Sequence, residues 1–279
     1  MSFQPILRFA PSPNGLLHLG HAFSALFTWQ AAARLKGVVL LRIEDIDLER
    51  CKPEFDLAIL DDLAWLGLSW PEPVLRQSSR FAAYAQAIGD LRSRQLLYPC
   101  FCSRKQIAEA ATHTDPDGAP LYPGTCRHLS KVEAERRLAE GEKAQWRIDM
   151  AMATAIHEEL TINEFSGENV SSRIAAPQLW GDAVLVRKDT PTSYHLSVVV
   201  DDAYQQVTHV TRGMDLYAAT DLHVLLQALL QLASPLYCHH DLVRDDAASK
   251  LSKSRGSPSL QSLRDAGETA ADIRQRLGF

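Results

Sequence analysis

Cysteine is scarce and odd in number: Cys51, Cys100, Cys102, Cys126 and Cys238 are the only five in 279 residues. That count excludes a disulfide scaffold and reads as reduced, intracellular thiols, with the Cys100-x-Cys102 pair open to a metal. Positive charge is also short. Twenty-nine Lys and Arg face 34 Asp and Glu, for a net charge of −5, so a globally basic nucleic-acid coat protein is excluded. Any nucleic-acid contact must use a local basic patch or pairing geometry. No apolar run approaches the ~20 residues that span a bilayer, and Met1–Pro13 lacks the cationic start and apolar core of a signal peptide. A cytoplasmic location with no membrane contact is expected. Internal repeats are missing too. A chain that is 46% hydrophobic and 23% charged is neither disordered, collagen-like nor coiled-coil, and its length suffices for a real core without staples.

What is present reads as alternating strand and helix. Ile6 to Phe9 is a short strand, followed by a Pro- and Gly-rich loop. Leu19 to Lys36 is helical by its apolar period, with Gly37 at the expected C-terminal cap. Val38 to Ile43 is a compact apolar run of the kind that forms a buried parallel strand. Helices follow from Pro53 to Leu66 and from Arg80 to Leu97, and this order opens a doubly wound α/β sheet. The composition changes at Tyr98, where three cysteines and four prolines gather. Ser103 with Gln106, and Ser130 with Glu133, form capping-box patterns. Trp146–Ile148 and Leu160–Ile162 read as strands, as do Ala183–Arg187, Tyr194–Val200, Gln205–Val210 and Tyr237–Val243. Thr220–Leu232 reads as a helix, and two short amphipathic helices follow Gly256. Trp65 and Trp70 read as core residues.

Two stretches carry chemistry. His18-Leu-Gly20-His21 opens a helix just after a strand and loop. Free N–H groups and the positive end of the dipole suit phosphate there, and two imidazoles three residues apart can donate to its oxygens. Lys250-Leu-Ser252-Lys253-Ser254 places ammonium groups on a Ser-rich loop, as charge developing on transferring phosphates requires. In this order, flanking a split α/β pattern, the pair resembles the two signatures of class I aminoacyl-tRNA synthetases, with Leu at the second place of each. The resemblance implies a Rossmann-type α/β catalytic domain, with an inserted α+β subdomain carrying a zinc-like site. It implies ATP with Mg²⁺ as substrate, and an amino-acid carboxylate as its own nucleophile. His18, His21 and Lys253 would be catalytic, and Gly20, Lys250 and Ser252 would join them in binding ATP.

Arg8-Phe9-Ala10-Pro11-Ser12-Pro13 and Arg42-Ile-Glu44-Asp45 resemble the glutamyl and glutaminyl branch. An acidic substrate asks for arginine forks, and its ammonium asks for a carboxylate. The resemblance assigns L-glutamate to Arg8, Phe9, Ala10, Pro11, Ser12, Glu44, Tyr194 and Arg212, with Arg212 on the side-chain carboxylate and Glu44 on the α-ammonium. Asp45 and Asp47 read as surface or helix-capping groups rather than metal ligands. Cys100, Cys102 and Cys126 offer three soft ligands for one structural Zn²⁺. The resemblance supplies Tyr122 as a fourth, with His113 and His128 as rivals by chemistry. Cys51 and Cys238 read as ordinary thiols.

The expected divisions are 1–97 and 176–256 for the two halves of the catalytic domain, 98–175 for the insertion and 257–279 for a helical tail. Since the chain runs only to Phe279 past Ser254, no anticodon-binding domain is expected. The resemblance then points to stand-alone members of the branch. These activate glutamate without tRNA and transfer it to the cyclopentene-diol of queuosine at the wobble position of tRNA(Asp). Charging of the 3′ end of tRNA(Glu) is the alternative. A monomer is expected, and the expected tRNA footprint is Arg244, Lys250, Lys253, Arg255, Arg264, Arg274 and Arg276.

Overall fold

A computed structural model describes residues 4–157, 159–243 and 258–279. Strand β1 (Ile6–Phe9) leads through the proline loop into α1 (Leu19–Leu35), and β2 (Val38–Ile43) returns parallel to β1 with Arg8 opposite Leu40. Lys36, at φ 54°, makes the left-handed turn that ends α1. Gly37 is required for another reason than the expected cap: a Cβ there would lie 2.6 Å from the Pro5 carbonyl oxygen. Helix α2 (Pro53–Trp65) begins with proline in its first turn, where the missing N–H is harmless. Strand β3 (Leu75–Arg76) then extends the sheet in the order β1-β2-β3.

Helix α3 (Phe81–Ser93) stops short of the expected Leu97. Gln95 takes a left-handed φ of 58°, Leu96 N–H closes on Leu91 O at 3.0 Å, and the chain re-emerges as β4 (Leu97–Cys100). Helices α4 (Arg104–Ala110) and α5 (Lys131–Ala139) start at Ser103 and Ser130, whose side chains accept from the N–H of Gln106 and Glu133. Strand β5 (Gln145–Ile148), helix α6 (Met150–Ala155), the hairpin β6 (Thr161–Ser166) with β7 (Asn169–Ile174), and β8 (Val184–Val186) follow.

Residues 194–200, expected as a strand, belong to helix α7 (Tyr194–Tyr204). Ser193 caps it by accepting from Leu196 N–H. Both Val198–Val199 and Asp201–Asp202 are buried. Burial on several faces erases the amphipathic period, and the valines' strand preference yields to tertiary packing. The same cause shortens the next strand: Gln205 and Gln206 finish α7, and β9 (His209–Gly213) begins later than the expected Gln205. Helix α8 (Ala219–Leu229), strand β10 (Leu236–His240), α9 (Leu260–Asp265) and α10 (Ala270–Leu277) complete the described chain.

A second sheet runs β7-β6-β10-β9, and a third runs β4-β5-β8. Thr208 N–H donates to Ile6 O at 2.9 Å and so ties β9 to β1. Pairing crosses both ends of the expected 98–175 insertion: β6 joins β10 of the catalytic half, while β8 joins β5. The tail helices belong to the first core, where Leu260 and Ile273 are fully buried with Leu7, Ile43, Ile59 and Leu63. No described helix is long and apolar enough to cross a membrane.

Candidate active site

The carboxyl ends of β1, β2, β9 and β10 border a cleft of about 590 Å³, the edge at which open α/β sheets take ligands. Eleven residues singled out in the sequence line it together: Arg8 to Ser12, His18, Gly20, His21, Glu44, Tyr194 and Arg212. Lys250, Ser252 and Lys253, with Arg244 and Arg255, lie outside the described residues. The flanks of that segment border the site. Leu242 and Val243 line the cleft, and Ser259 forms a β-bridge with His18.

The two histidines cap α1. His18 Nδ1 accepts from Gly20 N–H at 3.1 Å, and His21 Nδ1 accepts from His18 N–H at 3.1 Å. A neutral ring that accepts at Nδ1 carries its proton on Nε2, so the cap fixes both as Nε2–H donors. The rings stand 3.9 Å apart, centre to centre. A side chain at Gly20 would meet the His18 ring at 3.0 Å, so this glycine gives the imidazole its room.

Beneath the cleft lies a charge network. Arg8 Nε donates to Asp202 Oδ1 at 3.1 Å and its Nη1 to Thr211 O at 3.2 Å. Arg42 Nη1 donates to the same Asp202 oxygen at 2.7 Å, and its Nη2 to Glu44 Oε1 at 3.0 Å. All four side chains are at most 8% exposed. Burial works against the Asp202 carboxylate, but Arg8 and Arg42 outweigh it and pull its pKa below the usual range. For Glu44 burial dominates despite Arg42, and its pKa rises. A cation beside it, such as an ammonium group, would favour the ionised form. Arg42 stood in the sequence motif without a role of its own, and Asp202 escaped the sequence reading. The available signal was the Asp201-Asp202 pair following an apolar run, since buried carboxylates demand partners.

Arg212 differs from Arg8 and Arg42. Its partners are Thr220, His223 and His239, and His223 in turn contacts His195 Nδ1 at 3.1 Å. Tyr194 is the first residue of α7 and borders both the main cleft and a smaller cavity of about 130 Å³. That cavity shares Ser12, Asn14 and Glu44 with the cleft and opens toward Asp47, Arg50 and Arg187. Asp45 accepts from Ser78 N–H and Oγ, both at 2.7 Å, and Asp47 pairs with Arg50 at 2.7 Å and Arg187 at 3.4 Å. Both therefore act as capping and ion-pairing groups.

A second constellation sits beside the β4-β5-β8 sheet. The Sγ atoms of Cys100, Cys102 and Cys126 lie within 4.8 Å of one another. Thiolates around a tetrahedral zinc stand about 3.8 Å apart. The Tyr122 hydroxyl is 3.8 Å from Cys102 Sγ and accepts Cys126 N–H at 2.7 Å. His113 and His128 do not join the group. Burial raises the Cys100 thiol, but hydrogen bonds with Tyr122, Gln145 and Arg147 and the Arg147 charge prevail and bring it to about 7. The donor set fits a soft divalent metal. Cys51 and Cys238 are half-buried thiols pushed up by burial.

The described tail arginines are engaged within the chain. Arg264 faces Asp62 at 3.7 Å, Arg274 donates to Leu66 O at 2.7 Å, and Arg276 pairs with Glu268 at 3.6 Å.

Known proteins resemble this chain along most of its length. A family model described as tRNA synthetases class I (E and Q), catalytic domain, matches residues 6–276. A curated protein of Rhodobacter capsulatus named glutamyl-Q tRNA(Asp) synthetase is 47% identical, over 98% of this chain and 100% of its own length. A protein of the same name from Nitratidesulfovibrio vulgaris is 37% identical, over 95% and 83%. A solved glutamate tRNA ligase from Elizabethkingia meningosepticum, in complex with its amino acid, superposes with a TM-score of 0.71 at 25% identity. That match covers 95% of this chain and 54% of the ligase, so the chain spans about half the length of that relative.

Proposed function

The chain belongs to the class I tRNA synthetase family for glutamate and glutamine, by its catalytic domain, and on that premise we propose that it activates L-glutamate with ATP without needing tRNA. The glutamate then passes to the cyclopentene-diol of queuosine at the wobble position of tRNA(Asp). In the first step an α-carboxylate oxygen attacks the α-phosphorus of ATP, forming glutamyl-adenylate and releasing pyrophosphate. In the second, a hydroxyl of the diol attacks the acyl carbon, AMP leaves, and the hydroxyl proton passes to solvent or the phosphate.

The observation that carries this reading is the single cleft holding two capped Nε2–H imidazoles and Arg212. The imidazoles would donate to phosphate oxygens, with Lys250, Ser252 and Lys253 joining them. Phe9, Ala10 and Pro11 would form the wall along the amino acid, Arg8 and Ser12 its polar floor, and Arg212 with Tyr194 would take its side-chain carboxylate. Glu44 would receive the ammonium. Mg²⁺ enters with ATP. One structural zinc would be held by Cys100, Cys102 and Cys126, with Tyr122 as the fourth ligand.

Charging of the 3′ end of tRNA(Glu) is the alternative. The near-complete mutual coverage with the Rhodobacter protein favours the first reading over ligases matched across half their length. Transfer of labelled glutamate to tRNA(Asp) with and without queuosine, beside tRNA(Glu), tests it. Label should appear only on queuosine-containing tRNA(Asp); label on the 3′ ribose of tRNA(Glu) alone would replace it.

A further inference from the structure

Of the three buried arginines in and beneath the cleft, two are balanced by carboxylates of the described residues and one is not. Arg8 and Arg42 share Asp202, and Arg42 also holds Glu44. Arg212 donates from Nε to His239 Nε2 at 3.3 Å, from Nη1 to His223 Nδ1 at 3.0 Å and from Nη2 to Thr220 Oγ1 at 2.5 Å. Among the described residues no carboxylate pairs with it. Nearby acids have other partners: Asp202 pairs with Arg8 and Arg42, Glu44 with Arg42, Asp221 with Arg173, and Glu164 faces Arg173 and His239, while Asp215 lines the same cleft.

The acceptors must be neutral to do this. A ring nitrogen that accepts from a guanidinium has no proton, so the proton of His223 sits on Nε2, where it donates to His195 Nδ1 at 3.1 Å. The proton of His239 sits on Nδ1, 3.7 Å from Glu164 Oε1. Burial first, then the Arg212 charge, hold these rings uncharged. His223 lies well below its ordinary pKa, His195 falls to about 4 and His239 to about 3. A guanidinium has five N–H groups. With three engaged, one remains on each terminal nitrogen, the fork that matches a carboxylate.

We infer that His223, His239 and Thr220, with His195 behind His223, are positioning residues that keep Arg212 an uncompensated two-pronged cation. This neutral setting makes the cleft select an amino acid with a side-chain carboxylate over the corresponding amide. A carboxylate would both neutralise the buried charge and accept both N–H groups. An amide would leave the charge unbalanced and could turn its own NH₂ toward a donor. The inference rests on the proposed reading, in which Arg212 meets the substrate side chain.

The test is ATP–pyrophosphate exchange with glutamate and with glutamine, reading KM for each amino acid and for ATP. His223→Asn keeps an acceptor in the place of Nδ1 and should leave the glutamate KM within about 3-fold of wild type, whereas His223→Leu should raise it ~10-fold or more with the ATP KM unmoved. His223→Asp sets a carboxylate against Arg212 and should lower the kcat/KM preference for glutamate over glutamine by ~10-fold or more. Should that variant not fold, His239→Glu places a carboxylate near the position of Nε2 and is read in the same way. An unchanged preference in a folded carboxylate variant, or equal behaviour of the Leu and Asn variants, would overturn the inference. If Arg212→Ala leaves the glutamate KM unchanged, the reading beneath it fails instead.

Discussion

Asp202 Oδ1 lies 2.7 Å from Arg42 Nη1, although 160 residues separate them, and the same oxygen also accepts from Arg8 Nε. One carboxylate on α7 thus fixes arginines from two neighbouring strands, one of which reaches the cleft floor. Replacing it strands two buried cations. Asp202→Ala should destabilise the protein by about 3 kcal/mol in urea unfolding and raise the KM for glutamate through a loosened Arg8. The pH dependence has a defined sign. Because the folded pKa of Asp202 is pulled below the ordinary 3.8, its stabilisation is present above that value and is lost as pH falls through the folded pKa. The acid limb of wild-type stability should be steeper than that of Asp202→Asn.

Asp62 behaves in the opposite way. It is 1% exposed, and among the described residues neither oxygen has a hydrogen-bond partner and the cation paired with it is Arg264 at 3.7 Å. Burial pushes its pKa up to about 6, against a partial counter-effect from Arg264. Its contribution is therefore most favourable below 3.8 and is lost as pH rises through 6. Asp62→Asn should match wild type in stability near pH 4 and exceed it by about 1 kcal/mol at pH 8. Thermal melts across that range decide the matter; a constant difference would show that Asp62 does not titrate in this window.

His18 combines a cap with a phosphate donor, and one substitution separates them. Asparagine can accept at the position of Nδ1 but offers no Nε2–H. His18→Asn should keep the melting temperature close to wild type while exchange falls by ~100-fold or more. His18→Ala should show the same loss of exchange and a further cost of about 1 kcal/mol in stability. Equal exchange in Asn and wild type would remove His18 from phosphate binding.

The cysteine cluster should hold about one zinc per chain on elemental analysis. Chelation, or Cys126→Ser, should lower the melting temperature, because Cys100, Phe101, Ile107, Tyr122 and Cys126 form one small core. Protein purified without zinc, with a melt unmoved by chelator, would leave the cluster as three thiols and a phenol.

Strand β1, helix α1 and the residues around His18 and Arg8 were legible because local period and loop composition agree with the fold there. Helix α7 was not, since a helix buried on several sides offers no polar face, and its valines argue for a strand. The partners of the site were hidden for a different reason. Asp202 meets Arg8 from 194 positions away, and a sequence carries no mark of such pairing beyond a charge within an apolar run. His223 and His239 were equally silent: each reads as an ordinary residue of a helix or strand until Arg212 is placed between them.

The strand exchange between sheets bears on what could be cut from this protein. Residues 98–175 have the look of a cassette, yet removing them would take β6 and β7 away from β10 and leave β8 without β5. Two new open edges would appear, one of them the strand that carries His239 and His240. Grafting or trimming of this segment therefore has no clean seam at either end. A swap with a homologue would have to carry β8 along and leave the β6–β7 hairpin behind.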